Sequence, residues 1–137
     1  MTEKKKFDPN NPCLFCNPKP HEIIKETEHA VLITDSFPVS NGHCLVVPRR
    51  HIETYFDCSE EENRQFRELI LYAKQYVDEK YSPDAYNIGI NNGLVAGQSV
   101  FHLHIHIIPR YDGDVENPKG GVRWVIPKSS QYQLPEA

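Results

Sequence analysis

The sequence lacks the long apolar run, roughly 20 residues, that a membrane-spanning helix needs. Its basic start, MTEKKKFDPNNPC, is not followed by an apolar stretch, so no secretory signal is predicted. A basic excess is also missing, because the net charge is −4. This balance argues against broad nucleic-acid binding, although a small anionic ligand could still occupy a local site.

Cysteine is scarce and unevenly spaced, with four residues at Cys13, Cys16, Cys44 and Cys58. Without an export signal, we expect a reduced, cytoplasmic protein rather than a disulfide-stapled secreted one. The C-x-x-C pair of Cys13 and Cys16 is too close to staple distant parts of a fold. It indicates metal or redox chemistry instead.

The length of 137 residues fits one domain that can bury a core without disulfides. We expect a single domain over residues 1–137, with residues 1–12 and 127–137 as loop or flexible tail. Apolar runs predict strands in HAVLITDSFP and GHCLVVPRRH, joined by a turn at PVSNG. Alternation predicts two more strands, in AYNIGINNG and SVFHLHIHIIP, and VRWVIP reads as a short extended segment.

One long helix is predicted between these two pairs of strands. Ser59 and Glu62 match a capping box. Helical spacing then follows from about residue 60 to residue 80, before Pro83, in Phe66, Leu69, Ile70, Ala73, Tyr76 and Val77. The predicted fold class is α+β, an antiparallel meander with one long amphipathic helix.

Three of the seven histidines stand at alternate positions in SVFHLHIHIIPR: His102, His104 and His106. In a strand they would share one face, with Phe101, Leu103, Ile105 and Ile107 on the opposite, core face. The histidine face is expected to be open or to line a cleft. Neighbouring histidines would lie about 7 Å apart and the outer pair about 13 Å apart, so one ion could reach two of them more easily than three. The stripe therefore indicates either a metal site or an imidazole nucleophile or base with supporting neighbours.

The segment NNGLVAGQS, which precedes the stripe, is rich in glycine and short polar residues. Such a loop can present backbone N–H groups to phosphate oxygens, or it can be an ordinary hairpin connection. Its position at the mouth of a histidine stripe favours an oxyanion-binding loop.

The stretch GQSVFHLHIHIIPR closely resembles the signature of the histidine triad (HIT) superfamily, His-x-His-x-His followed by apolar residues. The resemblance extends through INNG, GHCLVVPRRHI, LITDSFP and CLFC, and covers about residues 13–110. It implies a HIT-like α+β fold. The branch that this chain resembles comprises dinucleoside-polyphosphate hydrolases and purine-nucleoside phosphoramidases.

The resemblance also implies roles for single residues. The middle histidine, His104, matches the nucleophile that attacks the α-phosphorus of a nucleotide and forms a nucleotidyl-histidine, which water then hydrolyses. His106 and His43 match positions that orient and support the site, and Asp35 matches the acid that bonds the ribose hydroxyls. The other implied contacts are Leu14, Phe15 and Ile33 around the base, Asn91 at the phosphate, and Gln98 and Ser99 near its bridging or leaving-group side.

Several members of the family hold a structural zinc ion on a C-x-x-C, on the histidine that ends the GHxLVxPxxH segment and on the first triad histidine. These positions correspond to Cys13, Cys16, His51 and His102, so the resemblance implies a Cys₂His₂ zinc site. Free thiols in a loop are the alternative. Zinc would tie the N-terminal segment to the catalytic strand and take His102 out of acid–base chemistry. No redox cofactor is implied.

The implied function is hydrolysis or nucleotidyl transfer at the α-phosphate of dinucleoside polyphosphates or nucleoside phosphoramidates. The expected partner is a purine nucleotide or dinucleoside polyphosphate substrate, and the enzyme is expected to be cytoplasmic and a homodimer. Neither nucleic acid nor a membrane is an expected partner. Two alternatives stay open: a metal-dependent hydrolase that uses the histidine stripe as ligands, and a non-enzymatic nucleotide-binding module.

Overall fold

The structure, a computed structural model, describes residues 13–132. The predicted loop at residues 1–12 and the last part of the predicted tail, residues 133–137, lie outside the described residues. The strands are β1 (Ile23–Glu26), β2 (Ala30–Thr34), β3 (Cys44–Pro48), β4 (Ala85–Ile90) and β5 (Ile105–Arg110), and the helix α1 spans Glu60–Tyr81. Short 3-10 turns occur at Pro20–Glu22, Tyr55–Asp57, Leu94–Ala96, Gly121–Val125 and Pro127–Ser129. Within residues 13–132, no helix combines the length and the apolar character that crossing a membrane requires.

The strands form one antiparallel sheet in the order β1-β2-β3-β5-β4. The chain runs through β1, β2 and β3 as a meander, passes through α1 to the far edge, and returns so that β5 pairs with β3. The predicted antiparallel α+β architecture is confirmed. The crossover matters for the site because it sets β5, with His106, beside β3.

Helix α1 covers one face of the sheet with the apolar stripe predicted from its spacing. Phe66, Leu69, Ala73 and Val77 are buried in a core shared with alternate residues of β2, β3 and β5. The opposite face carries a smaller apolar cluster of Val31, Ile33, Leu45 and Val47. Since His106 alternates with the core residues of β5, it lies on this second face, opposite Leu45 of β3.

The predicted capping box begins α1. The Ser59 hydroxyl accepts from the Glu62 N–H at 3.0 Å, and the Ser59 N–H donates to Glu62 Oε1 at 2.8 Å. The turn between β2 and β3 also depends on the helix. Gly42 has φ +91°, and a Cβ at that position would lie 2.9 Å from Tyr81, so only glycine fits there without displacement.

The last strand begins later than its alternating sequence predicts. Only Ile105–Arg110 joins the sheet, whereas the Leu103 N–H donates to the carbonyl of Ile52 at 2.7 Å. Phe101 was expected in the core, but it is 44% exposed because the chain around it is outside the sheet. His102 was expected on an open or cleft-lining face, but it is fully buried.

Two other segments differ from their sequence-based expectation. The predicted extended segment VRWVIP forms a 3-10 turn at Gly121–Val125, which follows Gly120 in a left-handed conformation. The Arg123 guanidinium donates to the carbonyls of Ser129 and Ser130, so this part of the tail closes on itself. Strand β1 had no clear signal in the sequence, because it is short and only half-buried.

Candidate active site and metal centre

A cleft of about 560 Å³ opens on the face of the sheet that α1 leaves uncovered. Residues from five places in the sequence meet there: the segment before β1, the end of β2 and the turn after it, β3, the loop before β5, and β5 itself. The site residues proposed from the sequence that line this cleft are Leu14, Phe15, Ile33, Asp35, Ser99, His104 and His106.

His104 lies just before β5 and is 8% exposed. Its Nδ1 is 2.8 Å from the carbonyl oxygen of His102. A carbonyl oxygen only accepts, so Nδ1 carries the proton and the lone pair of the neutral ring lies on Nε2. A backbone carbonyl therefore fixes His104 in the tautomer that an Nε2 nucleophile requires.

His43, in the turn before β3, connects the backbone to His106. The Val39 N–H donates to His43 Nδ1 at 3.1 Å, so His43 Nε2 holds the proton of the neutral ring. That nitrogen is 3.0 Å from His106 Nδ1 and 3.3 Å from Asp35 Oδ2. Because His106 accepts at Nδ1, its own proton lies on Nε2, and His106 can act as a donor.

The electrostatics keep both supporting histidines neutral. Burial lowers the pKa of His43, and the attraction of Asp35 opposes this only in part. Burial, together with the proximity of His104 and His43, lowers the pKa of His106 to about 4. The donor and acceptor pattern above is therefore the one that holds at neutral pH.

The acid proposed for the ribose, Asp35, directly follows β2 and is half-buried. Its Oδ1 accepts from the Phe37 N–H at 2.8 Å, and its Oδ2 lies near His43. Each carboxylate oxygen has two lone pairs, so Asp35 keeps acceptor capacity for a ligand hydroxyl.

The three polar loop residues proposed as phosphate contacts have different surroundings. Gln98 is 2% exposed, and its amide is used inside the loop: Oε1 accepts from the Gly93 N–H at 2.8 Å, while Nε2 donates to the Glu53 carbonyl at 2.6 Å. Ser99 is exposed at the cleft. Asn91 is half-buried and does not line the cleft.

The apolar wall of the cleft comes from the C-x-x-C loop and β2. The Phe15 ring lies 4.8 Å from the His104 ring, centroid to centroid. Leu14 beside it is 62% exposed, whereas Ile33 is buried in the floor. A flat apolar ligand part could be enclosed between these surfaces.

On the other side of the C-x-x-C loop, four side chains converge: Cys13, Cys16, His51 and His102. One ligand atom from each lies within 4.8 Å of the others. Cys16 Sγ is 3.3 Å from His51 Nδ1 and 3.5 Å from His102 Nδ1, Cys13 Sγ is 3.5 Å from His102 Nδ1, and the two Nδ1 atoms are 3.2 Å apart. Ligands of one tetrahedral zinc ion are separated by about 3.4 to 3.8 Å, given the usual zinc–nitrogen and zinc–sulfur bond lengths.

The donor chemistry of this cluster also fits zinc. The His102 Nε2 lies 2.8 Å from the Pro48 carbonyl, so Nε2 carries the proton and Nδ1 faces the cluster with its lone pair. Metal-binding histidines commonly donate their other N–H to a carbonyl in this way. Two thiols and two imidazoles form a ligand set that binds zinc in preference to calcium or magnesium.

The sequence model of the HIT domain family matches residues 17–113. The chain belongs to the HIT family. A HIT-like protein of Methanocaldococcus jannaschii, itself uncharacterised, is 42% identical over 115 residues, which cover 80% of this chain and 87% of the relative. An asymmetrical bis(5'-nucleosyl)-tetraphosphatase of Schizosaccharomyces pombe is 32% identical over 93 residues, 68% of this chain and 51% of the relative.

The fold also matches solved HIT structures. A zinc-bound histidine triad family protein of Mycobacterium smegmatis superposes with a TM-score of 0.68 at 32% identity, over 77% of this chain and 80% of that one.

This HIT chain has a second cleft, of about 1030 Å³, that sequence reasoning missed. It lies farther along the same face of β5, where Ile108 and Arg110 follow His106, and the tail around Trp124 forms its other wall. Arg110 donates to Asn87 Oδ1 at 2.6 Å and pairs with Asp114 at 2.8 Å. No local signal predicts this cleft, because it depends on how the tail folds back.

Proposed function

We propose that this HIT protein is a nucleotide hydrolase or nucleotidyl transferase that cleaves at the α-phosphate of dinucleoside polyphosphates or nucleoside phosphoramidates. The observation that carries the proposal is the 2.8 Å contact between His104 Nδ1 and the His102 carbonyl, because it leaves the Nε2 lone pair available in a ring that lines the cleft. Membership of the HIT family and the similarity to a tetraphosphatase support a nucleotide substrate.

In the first step, the Nε2 lone pair of His104 forms a bond to the α-phosphorus. The bond between that phosphorus and the bridging oxygen or nitrogen breaks, and the leaving group departs with its electron pair; a nitrogen leaving group takes a proton from solvent as it departs. Water then attacks the same phosphorus, the phosphorus–nitrogen bond breaks, and the water proton passes to solvent. The His104 ring is cationic in the intermediate, so the hydrogen bond from its Nδ1–H to the His102 carbonyl becomes stronger there and stabilises the positive charge.

His106 and His43 support this step. His106 can donate through Nε2 towards a phosphate oxygen, and His43 holds it in that tautomer through the 3.0 Å contact at Nδ1. The low pKa of His106, about 4, means that it acts as a neutral donor and not as a cation.

The substrate contacts follow the walls of the cleft. We assign the base to the space between Leu14, Phe15 and Ile33, and the ribose hydroxyls to Asp35, whose carboxylate retains free lone pairs. Ser99 faces the cleft and is assigned to the phosphate. Gln98 acts by holding the Ser99 loop in shape. A direct contact from Asn91 would require the loop to move, because Asn91 lies off the cleft.

Further parts of the proposal concern the whole protein. A structural zinc ion would be held by the two cysteines and two histidines described above, and it would tie the N-terminal segment to the chain before β5. The zinc-bound structural relative supports this assignment. We also propose a homodimer and a cytoplasmic location, with no redox cofactor.

Detection of the covalent nucleotidyl-histidine intermediate is the direct test of this mechanism. The protein is incubated with adenosine 5'-phosphoramidate, quenched in acid-free denaturant and digested, and its peptides are weighed by mass spectrometry. We expect one AMP moiety on the peptide that contains His104, and no adduct in His104→Ala. His21→Ala, a change to an exposed histidine outside the cleft, is the matched control. Normal turnover by His104→Ala would refute the mechanism.

A catalytic cation is the second candidate, because ligand atoms of Asp35, His43 and His106 lie within 4.8 Å of one another. If such a cation acts, gentle chelation abolishes turnover while circular dichroism and thermal unfolding stay unchanged. Our proposal expects the opposite: chelation loosens the fold through the cysteine–histidine cluster. Binding of AMP without turnover of any substrate in a panel would instead indicate a non-enzymatic nucleotide-binding module.

A further inference from the structure

The loop between Cys13 and Cys16 has two functions at once in this structure. Its two cysteines direct their sulfur atoms to the cluster with His102. The two residues between them, Leu14 and Phe15, line the nucleotide cleft. Four consecutive residues therefore connect the metal centre to the apolar wall of the active site.

His102 provides a second connection. Its Nδ1 belongs to the metal-ligand cluster, while its carbonyl oxygen accepts the hydrogen bond from His104 Nδ1–H that fixes the tautomer of His104. The Phe15 ring contacts both histidines: its centroid lies 6.1 Å from that of the His102 ring and 4.8 Å from that of the His104 ring. A displacement of either ligand pair would move the nucleophile or the wall beside it.

The loop has little regular structure of its own. Residues 13–19 form turns and bends, and the first strand begins only at Ile23. An ion held by both cysteines and two histidines would restrict the conformations of such a segment. Less conformational entropy would then be lost when a ligand binds in the cleft.

We infer that metal binding at Cys13, Cys16, His51 and His102 sets the nucleotide affinity of the cleft through Leu14 and Phe15, and that nucleotide binding tightens metal binding in return. This inference rests on the proposed nucleotide site. Thermodynamic linkage requires that the two effects be equal in size. We expect a factor of about 10, within the range of about 5 to 150 that is usual for coupled sites.

The first measurement is AMP affinity by calorimetry on the full chain, zinc-loaded and metal-free. The second is Zn²⁺ affinity against a competing chelator, with and without saturating AMP. We expect both affinities to change by the same factor. Equal AMP affinity in the two forms overturns the coupling while leaving the proposed function intact. Failure of AMP to bind either form overturns the nucleotide site itself, and with it the coupling.

If the metal-free chain unfolds, the coupling can still be tested with a variant that keeps the metal ligands and changes only the cleft wall. Phe15→Ala retains all four ligands, so its Zn²⁺ affinity without AMP should equal that of the unchanged protein. The effect of AMP on Zn²⁺ affinity should fall to nearly 1-fold. Phe56→Ala is the matched control, because Phe56 is 82% exposed and lines neither the cleft nor the cluster.

In these titrations AMP is used at the same multiple of each variant's own Kd. Coupling through global folding alone would then produce equal shifts in Zn²⁺ affinity for the unchanged protein and for Phe15→Ala. Equal shifts therefore overturn the inference. A shift in the unchanged protein and in Phe56→Ala, but not in Phe15→Ala, supports it.

Discussion

The cysteine–histidine cluster and the candidate active-site cleft lie on either side of one short segment, residues 102–106, but they use histidine in opposite ways. His102 donates from Nε2 to the Pro48 carbonyl, which leaves Nδ1 for the cluster. His104 donates from Nδ1 to the His102 carbonyl, which leaves Nε2 for the cleft. In both cases a backbone carbonyl at 2.8 Å determines which nitrogen is available.

The two regions also differ in the groups around the imidazoles. Among residues 13–132, the cluster contains two thiols and no carboxylate, a set that suits zinc. Asp35 and His106 line the cleft, and His43 contacts both of them from behind it; burial keeps His43 and His106 neutral. Histidines of one sequence pattern thus present different ring nitrogens, because the groups that contact their other nitrogens differ.

The largest expected effect is on the reactive side. His104→Ala should lower kcat by on the order of 10⁴-fold or more, because the nucleophile is lost. Zinc content and the midpoint of thermal unfolding should change little, since His104 is not a cluster ligand. Single-turnover kinetics and metal analysis measure the two properties on the same sample. A large loss of zinc in this variant would contradict the proposed division between the regions.

The next effect lies on the structural side. Cys16→Ser should abolish tight zinc binding, because Cys16 is fully buried among the ligands and a hydroxyl is a poor replacement for a thiolate. The free energy of unfolding should fall by about 4 kcal/mol when free zinc exceeds the original Kd about 1,000-fold. Denaturant unfolding with and without a chelator measures this loss.

Cys58→Ser is the control for that change, since Cys58 lies outside the cluster. It should lose little stability, and its response to chelation should match that of the unchanged protein. If chelation destabilised Cys16→Ser as strongly as it does Cys58→Ser, the cluster would not be the site that stabilises the fold.

The sequence was most informative where local patterns decide the structure. The extent of α1 follows from its capping box at Ser59 and from the spacing of Phe66 to Val77, and both were predicted without tertiary information. The histidine roles depended on resemblance to the HIT superfamily. Periodicity alone left a metal site and a nucleophile equally open.

Local patterns failed where distant backbone groups decide. Alternation predicted a strand from Phe101, but the Leu103 N–H bonds the carbonyl of Ile52, and the strand starts at Ile105. For Gln98, which stays a predicted phosphate-side residue, the sequence also did not predict its partners within the protein. Its amide is occupied by the Glu53 carbonyl, 45 residues away along the chain, which no local signal reveals.

A smaller effect tests how the reactive region is supported. His43→Ala removes the donor that holds His106 Nδ1, so kcat should fall about 10- to 100-fold, as is usual for loss of an orienting partner. The KM should change little, because His43 does not line the cleft. Nitrogen NMR should show His106 shifting to a mixture of tautomers. An unchanged tautomer, or an effect confined to KM, would contradict this role; His21→Ala serves as the control.

The smallest effect is the acid sensitivity of the same region, tested by comparing the unchanged protein with His106→Gln. Unfolded His106 takes up a proton near its ordinary pKa of 6.5, whereas the folded protein resists protonation until about pH 4. Between these values the unfolded state binds more protons, so stability falls as the pH is lowered. The unfolding free energy of the unchanged protein should therefore fall by about 1 to 2 kcal/mol more than that of His106→Gln between pH 7 and pH 4, a range reduced to allow for partial exposure. Zinc release at low pH affects both proteins alike, so the difference between their denaturation curves isolates His106, and parallel curves would show that its pKa is not lowered.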